Sequence, residues 1–123
     1  MSITVITPIQ LVTKDPQESR VYVVDWDYAN LAAAVTIATS TFAITAIAPI
    51  GDTGLTKDNE LKLTAAQATV ALERTVSLDN RATRVRLIGG TLGALYEITN
   101  QIITSESPAQ TKERSFRVLI EQQ

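Results

Sequence analysis

Carboxylates and glycines are the residues of this chain whose types and spacing could do chemistry. Asp25 and Asp27 stand on either side of Trp26, and on an extended strand that spacing turns both carboxylates to one face. Such a pair can bind a hard cation or divide general acid and general base work. The same residues also read as a solvated strand edge followed by a helix cap, and that reading is the stronger one because no further carboxylate cluster accompanies them. The loop Gly51-Asp52-Thr53-Gly54, with Asp58, Asn59 and Glu60, offers oxygen ligands but lacks the spacing of an EF-hand loop. Gly89-Gly90-Thr91-Leu92-Gly93 has the glycines of a phosphate loop. No Lys-Ser/Thr pair follows it, and it leads into a strand rather than a helix, so it reads as a hairpin turn.

What the chain lacks narrows the chemistry further. With no His and no Cys among its 123 residues, it can build no Ser-His-Asp triad, thiolate nucleophile, imidazole acid/base, disulfide or Cys/His metal site. The expectation is therefore no enzyme, no cofactor and no metal. A net charge of −2 with mixed signs predicts no general attraction to nucleic acid or acidic lipid. The N-terminus has no basic and apolar leader pattern, and no apolar run approaches the ~20 residues that span a bilayer. A soluble protein made in the cytoplasm and independent of membranes is expected.

The elements that must position these residues are mostly strands, as the richness in Thr, Val and Ile suggests. Residues 84–120 read as a three-stranded meander: Arg84 to Ile88, Leu95 to Thr104, and Arg114 to Ile120. Tyr96, Ile98, Asn100 and Ile102 share one face, as do Phe116, Val118 and Ile120. If the first two strands form a hairpin, Val85 faces Ile98 and Arg86 faces Glu97. Arg20 to Trp26 is another strand, with Tyr22, Val24 and Trp26 on one side and Val21, Val23 and Asp25 on the other. Short extended pieces around Ile3–Val5 and Ile9–Leu11 are interrupted by Pro8. Asp27 can cap a helical turn from Tyr28, and Val35 to Ala46 must change register near Ser40. Thr64-Ala65-Ala66-Gln67 fits a capping box, predicting a short helix from about Ala65, then a strand near Thr75.

These elements predict an all-β fold, an immunoglobulin-like two-sheet antiparallel β-sandwich with one or two short helical turns, forming a single domain over 1–123. Tyr22, Trp26, Phe42, Tyr96 and Phe116 are the expected core anchors. Tyr96 suits a tyrosine corner, with its hydroxyl bonded to loop backbone. Arg84, Arg86 and Arg117 fall on the outer face by parity with Ile88, Ile103 and Leu119, which together form a candidate protein interface, mixed apolar and basic. Exposed Tyr28 with the Asp-rich loops is the alternative site, for a carbohydrate or a cell surface.

Several fragments in order carry a resemblance. They are Lys14-Asp15-Pro16 before Tyr22-Val23-Val24-Asp25-Trp26, then Ser40-Thr41-Phe42, then Leu87 to Ser105 through Gly89-Gly90, Gly93, Tyr96 and Thr99-Asn100, and finally Glu113-Arg114-Ser115-Phe116. From Lys14 to Val118 the chain resembles a family of small tailed-bacteriophage structural proteins, the fibre-tail adaptors. Phe42 stands where that family's pattern has a tryptophan, and residues 65–82 form a longer link than its usual one. The resemblance implies a virion module with no catalytic residues, joining tail components through protein interfaces as a symmetric homo-oligomer, with residues 1–8 as an assembly arm. A neck connector or a capsid-decoration protein is the alternative place in the particle, since fold does not fix function.

Overall fold

The computed structural model describes residues 3–6, 10–27, 31 and 34–122. Its strands are β1 (Ile3–Ile6), β2 (Leu11–Lys14), β3 (Ser19–Asp25), β4 (Ile37–Ala48), β5 (Leu55–Lys62), β6 (Ala82–Gly89), β7 (Leu95–Thr104) and β8 (Thr111–Ile120), with one helix, α1 (Ala65–Leu72), between β5 and β6. They form two four-stranded sheets, ordered β1-β3-β6-β5 and β2-β8-β7-β4. The all-β sandwich read from the sequence is the fold observed. The sheets are not purely antiparallel, however: β1 runs parallel to β3, and β2 parallel to β8.

The expected meander holds only in its second half. β7 and β8 form a hairpin in which Ile98 faces Phe116 and Glu97 faces Arg117. β6, by contrast, lies in the other sheet, between β3 and β5, so Val85 faces Tyr22 and Arg86 faces Val21 and Asp58. The glycine segment is thus an arch from one sheet to the other rather than a hairpin turn. Gly89 and Gly90 take φ of +76° and +110°, and a Cβ on Gly90 would sit 2.6 Å from Ile120 Cδ1, so the tight crossing needs glycine.

The inner faces meet in one core: Tyr22, Val24 and Trp26 from β3, Val85 and Leu87 from β6, Phe42 from β4, Tyr96, Ile98 and Ile102 from β7, and Phe116, Val118 and Ile120 from β8. All five expected anchors are buried, and the Tyr22 and Phe116 rings lie 5.4 Å apart. The other side of β3 is buried too. Val21 and Val23 pack with Leu63, Ala68, Val76 and Ala82, so α1 roofs the outer face of that sheet.

The helix begins where the capping box predicts. Gln67 N–H donates to Thr64 Oγ1 while Thr64 N–H donates to the Gln67 side chain, and Glu73 closes the helix in the left-handed region. No strand forms near Thr75. Val76 is instead held under the helix, its N–H donating to Thr69 Oγ1. β5 replaces what reads as a loop, so Asp58 and Glu60 lie on a strand. The register of β4 against β7 shifts between Ile37 and Thr39, close to the change expected near Ser40, and again between Ala46 and Ala48. The turn expected from Tyr28 and the carbohydrate site at Tyr28 lie outside the described residues.

Candidate functional site

Asp25 and Asp27 are not a solvated edge. Their shared orientation lets one guanidinium span both: Arg74 donates to Asp25 at 2.5 Å and to Asp27 at 2.7 Å. Arg81, almost buried, donates to the other Asp27 oxygen at 2.5 Å and to the carbonyls of Asp27, Leu31 and Val35. Burial pushes the Asp27 carboxyl upward, but the hydrogen bonds from Arg74 and Arg81 outweigh it and hold the group below its ordinary range. Arg114, inward by parity, lies 5.0 Å over the Trp26 ring and donates to the Asp25 carbonyl. Burial lowers its pKa. This cluster is cross-linked by its own ion pairs and hydrogen bonds, which suits a brace rather than a reaction centre. Among the described residues no group of three His, Cys, Asp or Glu side chains gathers for a metal.

Beside it, Asn100 ties the two sheets together. Its Oδ1 accepts from Trp26 Nε1 at 2.8 Å and Thr83 Oγ1 at 2.6 Å, and its Nδ2 donates to Ser40 Oγ and the Thr41 carbonyl. A buried amide with every such bond satisfied fixes register as well as packing. The signal for it was a lone polar residue on the apolar parity of β7. Elsewhere, the Tyr96 hydroxyl accepts from Thr91 N–H at 3.1 Å and donates to Asp52. It therefore bonds to loop backbone as a tyrosine corner does. That bond, with those from Gly54 N–H and Thr91 Oγ1, holds the Asp52 carboxyl below its ordinary value.

The candidate interface residues do not form one surface. Arg84, Arg86 and Ile88 lie on β6, and Ile103, Arg117 and Leu119 on β7 and β8. Parity puts each set on an outer face, but the sheets differ, so the two sets look away from each other across the sandwich. The side chains differ in state as well. Arg86 is held in a two-pronged pair with Asp58, and Arg117 reaches Glu97 at 3.4 Å on an exposed face. Arg84 has no such partner, and its buried Nε meets no acceptor.

A double sheet braced by internal ion pairs, with two separate outer faces, defines a structural β-sandwich. A family model, the podophage GP4 fiber-tail adaptor protein gp77, matches residues 14–119, and the chain belongs to that family. It is a structural tail adaptor, a component of the virion that contacts other tail proteins. Among solved structures it is similar to a cysteine protease inhibitor from Entamoeba histolytica, with a TM-score of 0.50 and 6% identity over 98% of this chain and 96% of that one, a likeness of fold alone. No curated protein matches the sequence.

Proposed function

We propose that the chain works without catalysis, as a rigid spacer whose two outer faces dock on different tail components in a symmetric homo-oligomer, with neither nucleic acid nor membrane among its partners. The family match over residues 14–119 carries this reading. The want of His and Cys and the opposed placement of Arg84, Arg86 and Ile88 against Ile103, Arg117 and Leu119 support it. Residues 1–123 act as one immunoglobulin-like unit, synthesised in the host cytoplasm before assembly. The sheet order supports that likeness, although the parallel β1 and β3 pair departs from it. Residues 1–8 are the assembly arm: Ile3–Ile6 form a four-residue edge strand, short enough to exchange for the same segment of a neighbour.

Quantitative mass spectrometry of purified particles tests the proposal. Copy number near that of a portal-like ring supports an adaptor. Abundance near the major capsid protein would assign decoration instead, and absence from the particle would overturn the virion role.

A further inference from the structure

We propose that the groove between α1 and the outer face of the β1-β3-β6-β5 sheet binds an apolar segment bearing a carboxylate, supplied by a partner tail protein. This rests on the adaptor reading and names the chemistry of one docking face.

The groove encloses about 380 Å³, and its walls include Val21 and Val23 from the sheet, Leu63 before the helix, and Val70 and Ala71 on the helix. One charged side chain lines it, Arg84. Arg84 sits in a row of cross-strand neighbours, Val5, Val23, Arg84 and Leu61. The two outer members of that row, Val5 and Leu61, are exposed hydrophobics. The nearby Arg86 already holds Asp58 through two hydrogen bonds. Arg84 makes no such pair, and its Nε is buried with no acceptor. A buried guanidinium N–H without a partner is costly, and a carboxylate is the group that satisfies it best. Val70, 76% exposed at the groove's rim, gives an apolar ligand a reason to stay. Apolar walls around a guanidinium with one buried N–H unpaired therefore favour a ligand that is apolar along its length and acidic at one point, and a segment of another tail protein supplies both.

The test titrates the isotope-labelled full chain, followed by NMR, with a blocked peptide of leucines and valines ending in aspartate, and with the same peptide ending in asparagine. Saturable shifts are expected at Val21, Val23, Val70 and the Arg84 Nε–H, with the asparagine peptide about tenfold weaker, the size of one charge-assisted hydrogen bond. Arg84→Gln should bring the two peptides to equal affinity. Val70→Asp, at an exposed site that leaves the fold intact, should abolish binding of both. Equal binding of the two peptides by the unaltered chain, or shifts confined to another face, would overturn the proposal. Concentration-dependent shifts of the same residues without peptide, lost in Val70→Asp, would do so too by assigning the groove to a second copy. The groove and the adaptor reading fail apart: a chain missing from particles sinks the latter, and a chain present in particles but indifferent to both peptides sinks the former.

Discussion

At the scale of single residues, buried charge decides more than exposed charge. Asp27 answers both Arg74 and the almost buried Arg81, so Asp27→Asn leaves a desolvated guanidinium without its anion. Removing one partner of such a pair should cost about 3 kcal/mol, read as a lower urea midpoint at neutral pH. The pH dependence has a definite sign. The folded-state pKa of Asp27 is depressed, so the unfolded chain binds more protons in the acid range. Stability from this group is complete above the unfolded carboxylate value, about 4, and is lost as pH falls through the folded value. Denaturation midpoints followed down from pH 6 should drop less steeply in Asp27→Asn than in the unaltered chain, and parallel curves would remove Asp27 from the account. Tyr96 offers a gentler test. Tyr96→Phe removes a buried hydroxyl that accepts from Thr91 N–H and donates to Asp52, at a cost on the order of 1 kcal/mol. The Asp52 carboxyl should then titrate nearer its ordinary value, since that hydroxyl is the main cause of its depression. An unmoved titration, followed by carboxyl-carbon NMR, would contradict this.

At the scale of elements, α1 is the part whose stability can be moved by itself. Thr64→Ala removes the hydroxyl that accepts from Gln67 N–H, the side-chain half of the capping box, and should cost about 1 kcal/mol, seen as faster amide exchange across residues 65–72 with β7 and β8 unchanged. Equal loss of protection in both would mean that the helix does not open locally. That helix was legible because a cap motif is local: four residues contain it. The strand from Arg20 to Trp26 and the β7 and β8 hairpin were legible for a related reason, their two-residue period being written in large apolar side chains. β5 was not. Its Thr56, Lys57, Asp58, Asn59 and Glu60 are mostly solvated at a sheet edge, and the bulge between Asp58 and Leu61, with Asn59 at φ 51°, breaks the period. The arch between β6 and β7 was hidden for another reason. Three glycines permit a hairpin or a crossing equally, and the partners that the crossing brings are distant: Arg86 finds Asp58, and Glu97 finds Arg117. Both strands thus keep an arginine and carboxylate pairing, but with partners that no local pattern reveals. The candidate interface suffered the same loss. Parity told that Arg84, Arg86, Ile88, Ile103, Arg117 and Leu119 point outward, but it carries no information about which sheet each strand joins.

At the scale of the whole molecule, that division becomes the argument for how an adaptor works. A sandwich braced internally by Asn100, by the Arg74 and Arg81 cluster and by Arg114 over Trp26 resists shear between its sheets, so load applied to one outer face is transmitted to the other. The faces themselves are chemically unlike. One carries α1, the groove and Arg84, whose buried Nε meets no acceptor; the other carries exposed Leu11 beside the loosely paired Arg117 and, farther along β7, exposed Ile103. Unlike faces suit unlike partners, and complementary charge and apolar patches at each would keep the two from being exchanged. Separation of the two contacts is therefore the expected outcome of face-specific variants. Val70→Asp should alter one class of contact in assembled particles, and Ile103→Asp with Leu119→Asp the other, each leaving the isolated chain folded by circular dichroism. Mass spectrometry of the particles would then show the chain retained without fibre in one variant and lost from the tail in the other. If both variants instead removed the same component, a single face would be doing the docking, and the sandwich would be a cap on its partner rather than a spacer between two.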